Sequence, residues 1–414
     1  MSATFEIRRQ MNGIAEAPGK TWFWELAAGV IDAGRCIQCG TCVAACPSDS
    51  IGIGSKGLPA LVKMCTGCSL CWDFCPRGGL RYEATWPAQA VMIDEAGPTE
   101  TPVTISGGPR TEGLGLLRAS YTARSLAGLD GVQDGGVVSA LLIALLESGQ
   151  IDGALVARPS DTEQWKGVAH IATDRQGVLD SAGSFYNQTM ALAHLDVSGR
   201  GLPPNPRLAL VGTPCEIQGL KALQSRRWSW GKSHPEAVVL TVALLCTKSF
   251  DYAGLMLTEL RDRRGISLDD VARVDILHGK LMVDAHDGTR LVEEPIRDFH
   301  GAALKGCDEC ADFLGHGADL SVGSVGSADG YSSLLVRTEA GEAAVAAVAD
   351  RLELRPLDRP EALDKLNNLD KKTAFGTLAR PFEPEGALFI DYAEHCAFYN
   401  GTDRQPVWSD QSNA

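Results

Sequence analysis

The chain lacks any apolar run of the roughly 18 to 20 residues that a spanning helix needs, so no transmembrane segment is expected. It also lacks an excess of basic residues. Against 38 Lys and Arg stand 52 Asp and Glu, a formal net charge of −14, which argues against a nucleic-acid surface and against binding to anionic lipid. The opening stretch MSATFEIRRQMNG has no apolar h-region and no cleavage signal, so a cytoplasmic setting is expected. No Ser/His/Asp or HExxH arrangement occurs. The histidines (His170, His194, His234, His278, His286, His300, His316, His395) include no pair at helical metal spacing. With 414 residues, 44% hydrophobic and 22% charged, the chain is long enough for two or three globular domains.

Cysteine is plentiful, with thirteen in all, and eight of them fall into two runs of identical spacing. CIQCGTCVAACP carries Cys36, Cys39, Cys42 and Cys46; CTGCSLCWDFCP carries Cys65, Cys68, Cys71 and Cys75. This is the bacterial ferredoxin pattern, in which thiolates hold [4Fe–4S] clusters and the fourth cysteine of each run crosses to the other cluster. The expected ligand sets are therefore Cys36, Cys39, Cys42 and Cys75 for one cluster and Cys65, Cys68, Cys71 and Cys46 for the second. Zinc sites fit this spacing badly, because three cysteines crowd into seven residues and a proline follows each fourth one. A disulfide framework would need an oxidising compartment. The chemistry expected is single-electron transfer, with proteins or small redox molecules as partners.

The texture along the chain changes in steps. Residues 1–33 hold the amphipathic segment TWFWELAAGVIDAG, whose Trp22, Trp24, Leu26 and Val30 are expected to pack on the chain itself. Residues 34–85 form the cluster module, and residues 86–116, rich in Pro, Gly and Thr, read as a linker. From Leu117 onward helices alternate with short buried strands, so the class is α/β. GGVVSALLIALLESG predicts a helix ending at Gly149, and IDGALVAR, RLALVGTP, AVVLTVALLC and DLSVGSVG predict strands. EIQGLKALQSR and EAAVAAVADRLEL predict helices. Residues 376–414 read as a surface-hugging tail.

Four further cysteines sit at loop-like positions in this α/β part: Cys215 in VGTPCEIQG, Cys246 in ALLCTKSF, and the CxxC pair Cys307 and Cys310. Cys215 and Cys246 each end an apolar strand-like run, where loops gather functional residues at one sheet edge. Four thiolates from three places suit a third [4Fe–4S] cluster, and equally zinc or an active-site dithiol. Cys396, alone in EHCAFY, reads as a buried or free cysteine.

The segments VQDGGVVSALLIALLESGQIDGALV, AGSFYNQ, VGTPCEIQGLKAL, LLCTKSFDY and KGCDECADFLGHGADLSVGSVGSADGYSSLLVRTEAG occur in order. Together they resemble the coenzyme F420 hydrogenase/dehydrogenase β-subunit family over roughly residues 117–375. The resemblance implies an α/β domain that binds FAD and a [4Fe–4S] cluster and exchanges a hydride with coenzyme F420, here behind a two-cluster ferredoxin module. It favours a third cluster on Cys215, Cys246, Cys307 and Cys310. It implies ferredoxin or a redox partner subunit at the other end of the path, and an oligomer or larger complex as the setting. The family also holds ferredoxin-dependent reductases of chlorophyll-type rings and electron-wiring subunits of larger dehydrogenases and hydrogenases, which stand as alternatives.

The Gly-rich segments suit a flavin nucleotide. Gln133, Asp134, Gly135 and Gly136 precede a helix, with Ser139 just inside it, so a pyrophosphate could approach backbone N–H groups there. Gly323, Ser324, Gly326 and Ser327 follow a predicted strand in the same way. Gly183 and Ser184 of AGSFYNQ and Gly212, Thr213 and Pro214 of VGTPC complete the expected cofactor-binding set, with Tyr186 against the isoalloxazine. Lys248 is placed to stabilise negative charge on the reduced flavin or on a phosphate, and Lys248 and Tyr186 are the expected catalytic residues. Coenzyme F420 carries a phosphate and a polyglutamate tail, for which Lys221, Arg226, Arg227 and Lys305 are candidate basic contacts. His300 and His316, flanking the CxxC, are expected to be structural or superficial.

Overall fold

The computed structural model describes residues 22–79, 113–129, 131–225 and 231–378, with the backbone of 93–94 and 97–98. Residues 1–21, the 80–85 end of the expected module, much of the 86–116 stretch, Arg226, Arg227, Cys396 and nearly all of the expected tail lie outside the described residues.

The cysteine module is built twice from one backbone plan. In each run the residue before the second cysteine (Gln38, Gly67) and the residue after it (Gly40, Ser69) have positive φ. Each run then enters a single helical turn, Thr41–Ala44 or Leu70–Asp73. Between the runs, the Gly-rich segment forms an antiparallel hairpin of β1 (Ile51–Ile53) and β2 (Pro59–Leu61). The N-terminal aromatic segment is helical over Phe23–Leu26 and widens to π geometry over Ala27–Ile31. Phe23, Leu26 and Val30 are buried with Cys42, Cys71 and Trp72, so this segment does pack on its own chain. Trp22 and Trp24 stack with centroids 4.8 Å apart, and Trp24 remains exposed.

Within the expected linker, β3 (Ile93–Asp94) and β4 (Gly97–Pro98) make a short antiparallel hairpin. The α/β part is organised by one sheet of β5 (Ala119–Ser125), β6 (Gly153–Pro159), β7 (Gly167–Ala172), β8 (Leu208–Gly212), β9 (Val238–Leu244), β13 (Leu320–Gly323), β14 (Ser332–Val336) and β15 (Leu352–Pro356). Its order is β15-β5-β14-β13-β9-β8-β6-β7. The central strands β6, β8, β9 and β13 are parallel; the flanking pairs are antiparallel. A parallel centre must be covered on both faces, which is why these strands read as unbroken apolar runs. One face packs on the helices Val137–Glu147 and Glu339–Ala346. The other packs on Pro214–Ser225 and takes Ala44, Ala45 and Phe74 of the cysteine module into the same core as Leu210, Ile217 and Leu220.

Two elements depart from expectation. The helix expected through EAAVAAVADRLEL ends at Ala346, and Leu352–Pro356 is instead an edge strand paired with β5. Pairing with β5 at the sheet edge decides that stretch over its helical composition. Sequence patterning also passed over a separate antiparallel sheet of β10 (Val271–Leu277), β11 (Lys280–Ala285) and β12 (Arg290–Pro295). Its first turn is His278-Gly279, both at positive φ, the geometry of a two-residue hairpin whose twist matches the strands.

Candidate functional site

The cysteine module gathers its thiols across the two runs. Burial pushes Cys42 well above the usual thiol range, and Cys36, Cys75 and Cys39 push it further. Burial does the same to Cys71, reinforced by Cys68, Cys65 and Cys46. Cys75 acts on Cys42 of the first run as well as on Cys71 of its own, and Cys46 acts on Cys71 of the second run. A partly open cavity is lined by Cys36, Cys39, Cys42 and Cys75, with Gln38, Thr41 and Arg77 on its wall. The doubled backbone plan supplies matching donors: the Gln38 amide lies 3.4 Å from Cys36 Sγ and the Gly67 amide 3.4 Å from Cys65 Sγ. Thr41 Oγ1 lies 3.1 Å from Cys39 Sγ, and the Ser50 amide donates to Cys46 Sγ at 3.2 Å. Amides and hydroxyls directed at sulfur are the outer shell that thiolate-held clusters use. The two sets differ in exposure at one member: each has an intermediate cysteine, Cys36 or Cys65, and buried ones, but only the second has an exposed one, Cys68.

The other four cysteines come from three loops. Cys215 follows β8 and Cys246 follows β9, two adjacent parallel strands, so both stand at the carboxyl edge of the sheet. Cys307 and Cys310 arrive on a short 3-10 segment, Lys305–Glu309, and the Cys246 amide donates to Phe313 O at 3.2 Å. Burial raises both the Cys215 and the Cys246 thiol; Cys39, Glu216 and Cys310 add to the rise at Cys215, and Cys307 and Cys310 add to it at Cys246. Thr213 Oγ1 lies 3.1 Å and Gln188 Nε2 3.7 Å from Cys215 Sγ, and the Ser249 amide donates to Cys307 Sγ at 3.5 Å. Ile37, Cys39 and Cys215 share a buried cluster against which Cys307 packs. This edge set therefore adjoins the inner set of the module.

All twelve described cysteines are free of disulfides. Among the described residues no group of three or more His, Cys, Asp or Glu converges as for a single metal ion. A four-iron cluster, whose thiolates bind at separate corners, does not require that convergence.

The module is fixed to the edge set by buried contacts that sequence reading did not single out. Arg35, the residue before Cys36, makes a bidentate pair with Glu309, Nε and Nη2 each 2.7 Å from a carboxylate oxygen. Arg77 Nε donates to Gly306 O at 2.7 Å. Thr41 fills the space that a Cβ on Gly219 would need, and Arg35 O the space beside Gly306. The only sequence signal for the arginines is their place beside the cysteine runs.

The flavin candidates collect at the same carboxyl edge. The Gln133–Gly136 turn opens the helix Val137–Glu147 and lies against β5 and β14, with Ser139 part-buried in the first turn. A Cβ on Gly135 would meet Ala123 O at 2.4 Å and Ser332 N at 2.9 Å, and one on Gly323 would meet Leu245 at 2.8 Å. These two glycines are therefore required by packing. Gly136 is a left-handed N-cap, and Gly326 has φ +93°. Ser327 spends its hydroxyl on Thr122 and Ser333, while Ser324 caps the turn through its carbonyl. Gly212, Thr213 and Pro214 serve the edge thiols: Thr213 N donates to Glu216 Oε2 at 2.9 Å, and Pro214 starts the helix bearing Cys215. Gly183 is exposed at φ +103°, with Ser184 part-buried beside it.

Tyr186 lies between this edge and the smaller sheet. Its hydroxyl accepts from Ile276 N at 2.8 Å, and burial raises its pKa, with Asp275 adding to the effect. Gln133 donates to Asp275, and Asp134 is raised to about 6 by burial and by Asp275. Lys248 is ion-paired with Asp308, beside Cys307. Of the basic candidates, Lys221 pairs with Asp319 at 4.0 Å, before the start of β13 and thus away from that strand's glycine loop, and Lys305 is exposed near Gly34. The His316 side chain is 4% exposed, with its Nδ1 2.7 Å from Asp312 Oδ1, and His300 is exposed.

Comparison with known families matches three stretches. Residues 29–81 fit a 4Fe-4S dicluster domain. Residues 120–196 and 206–360 fit the N-terminal and C-terminal models of the coenzyme F420 hydrogenase/dehydrogenase beta subunit. The chain belongs to the F420 hydrogenase/dehydrogenase beta-subunit family. Within that family it is 32% identical to the coenzyme F420 hydrogenase subunit beta of Methanosarcina barkeri, over 58% of this chain and 82% of the relative. It is 31% identical to the coenzyme F420-dependent sulfite reductase of Methanocaldococcus jannaschii over 84% of this chain, and spans about half, 51%, of that relative's length. Among solved structures, a chain of the F420-reducing [NiFe] hydrogenase complex of M. barkeri superposes with a TM-score of 0.60 at 30% identity, covering 65% of this chain and 93% of that one. This family member is thus a mixed α/β protein with an N-terminal ferredoxin-type 4Fe–4S domain. Among its described residues no helix is long and apolar enough to cross a membrane.

Proposed function

We propose that this chain is a cytoplasmic oxidoreductase, or a subunit of one, that passes electrons between coenzyme F420 and ferredoxin or another redox partner protein. It does so with FAD and three [4Fe–4S] clusters. When bound, FAD supplies the exchange between hydride and single-electron chemistry, and the clusters supply one-electron steps. One observation supports the reading: at the carboxyl edge that also carries Cys246 and Cys310, Cys215 shares a buried cluster with Cys39, and Cys307 packs against it. The thiols then form a proposed series, from the edge where the flavin candidates collect, through the set in which Cys39, Cys42 and Cys75 are buried, to the set that includes the exposed Cys68.

The chain's own residues have defined parts in this scheme. Three sets of four cysteines would hold the clusters: the edge set; Cys36, Cys39, Cys42 and Cys75; and Cys65, Cys68, Cys71 and Cys46. Gln133, Asp134, Gly136, Gly183, Ser184 and Tyr186 border the proposed flavin site, with Tyr186 fixed through Ile276. Lys248, held by Asp308, places a cation beside the Cys307 loop. Burial of Cys39 and Cys215 keeps water from the junction of the inner and edge sets. The match to a chain of a hydrogenase complex supports action within a larger assembly. The domain limits that accompany this reading are 34–85 for the module and 117–375 for the flavin and cluster domain.

Anaerobic purification with iron, sulfide and flavin quantitation tests it. About twelve irons per chain, four per cluster, and one flavin bleached by reduced F420 are expected. Cys215→Ser should lower iron to about eight. Eight irons in the unmodified chain, or flavin left oxidised by reduced F420, would overturn the reading.

A further inference from the structure

Single exposed apolar side chains are ordinary on a protein surface, whereas a concentration of them marks an interaction site. Among the described residues eleven large apolar side chains are exposed, and four of them, including Leu61, Val62 and Met64, fall within residues 53–64. Met64, directly before Cys65, is 89% exposed and Val62 59%. This strip is tied to the outer cysteine set. Val62 N donates to Ser50 O at 2.9 Å and Ser50 Oγ to Met64 O at 2.8 Å, while the Ser50 amide donates to Cys46 Sγ at 3.2 Å. One serine thus joins the exposed strip to a thiol of that set. At Gly67, inside the second run, the Trp22 ring lies 3.1 Å from where a Cβ would stand, and Trp24, stacked on Trp22, is exposed. The next residue is Cys68, the one exposed cysteine among those described.

The strip also differs in charge from the chain that carries it. Residues 50–72 contain Lys56 and Lys63 and no Asp or Glu, in a chain of formal net charge −14. Both lysines are exposed, and neither enters an ion pair among the described residues. The acids that flank the strip in sequence are turned to other work: Asp49 accepts from Lys232 N at 2.9 Å, and Asp73 is only 2% exposed. Glu25, beside Trp24, accepts from Trp22 N at 2.7 Å. A cationic, apolar strip on an otherwise acidic surface steers a partner of negative charge to that place. We propose that it is the docking surface for an acidic one-electron carrier protein whose own redox centre lies near its surface. Lys56 and Lys63 meet the carrier's carboxylates, and Leu61, Val62, Met64 and Trp24 form the dry centre of the contact. One electron then passes between the carrier and the outer cluster, one centre being oxidised as the other is reduced. This rests on the proposed exchange of electrons with a partner protein, and adds the surface and the partner's charge.

The test uses the full chain, purified anaerobically with its clusters. The probe is a reduced, acidic two-cluster bacterial ferredoxin, and reduced methyl viologen serves as a dye too small to need a docking surface. Stopped-flow absorbance reads the rate at which each reduces the clusters. With ferredoxin, the rate for the unmodified chain should fall steeply as salt rises. Lys56→Gln/Lys63→Gln should slow it about tenfold at low salt and flatten that dependence. Val62→Ser/Met64→Ser should slow it several-fold and leave the salt dependence in place. Both variants should keep the iron content and the dye rate of the unmodified chain. Failure of ferredoxin to reduce a chain that the dye reduces, an unmoved ferredoxin rate in both variants, or equal slowing with ferredoxin and dye would overturn the proposal. So would an unmodified dimer in sedimentation that the variants dissociate, since the strip would then join two copies of this chain. Bleaching of the flavin by reduced F420, read on the same samples, separates the two levels. Bleaching with an unmoved ferredoxin rate sinks the docking surface alone, and no bleaching of the unmodified chain sinks the function proposed above.

Discussion

The cysteine module and the sheet-edge set solve one problem by different means. In the module, eight cysteines lie within forty residues, Cys36 to Cys75, and a repeated local backbone with left-handed residues at matching places turns them inward. At the edge, four cysteines separated by up to ninety-five positions, Cys215 to Cys310, meet because β8 and β9 are adjacent parallel strands and a 3-10 segment is pinned beside them. The first arrangement is carried by spacing and the second by topology. The difference predicts that damage to the module stays local, whereas damage to the docking of module on sheet reaches both.

The sharpest way to break the comparison is at the crossing of the two runs. Cys75→Ala should remove about four irons per chain, and the double variant Cys36→Ala/Cys75→Ala should lose no more, because both cysteines serve one set. A double variant losing about eight irons would place Cys75 with its own run.

Next in size is the buried pair that joins the regions. Arg35 and Glu309 are 7% and 5% exposed in their side chains, and breaking such a pair by removing one partner costs about 3–5 kcal/mol. Glu309→Ala should lower the unfolding midpoint accordingly, as followed by circular dichroism under anaerobic conditions. A change below about 1 kcal/mol, the range of an exposed pair, would mean that this ion pair does not hold the two regions together.

A smaller, pH-dependent effect belongs to the edge region. Burial lowers His316 to about 4, against about 6.5 in an unfolded chain. The unfolded state therefore binds a proton that the folded state does not, and stability present above pH 6.5 is lost as pH falls toward 4. His316→Gln removes this slope. Its cost at pH 7.5 should shrink by up to about 2 kcal/mol at pH 5, read from chemical unfolding at both values. An equal cost at the two pH values would show that His316 does not stay neutral in the fold.

Much of this was legible in the residues. The cysteine runs, the strands β6, β8, β9 and β13, the helices after Gly136 and Thr213 and the packing of the N-terminal aromatic segment were read from spacing and apolar periodicity, which are local. The β10–β12 sheet was overlooked although its turns, His278-Gly279 and Asp287-Gly288, are hairpin signals. The strand Leu352–Pro356 was misread because its identity depends on β5, a partner over two hundred residues away. Gly135 and Gly323 fit a phosphate cradle on paper, yet neighbouring strands and Leu245 occupy the space beside them.

The sequence by itself determined the expected ligand sets of two clusters, since three thiols within seven residues can bend round one centre through local turns and each run can lend its last cysteine to the other. It could not determine that Arg35 would meet Glu309, that Arg77 would reach Gly306, or that Cys39 would lie beside Cys215. Those meetings depend on the module burying Ala44, Ala45 and Phe74 on one face of a parallel sheet. Only the tertiary structure decided them, because burial of apolar surface between distant segments sets which loops become neighbours.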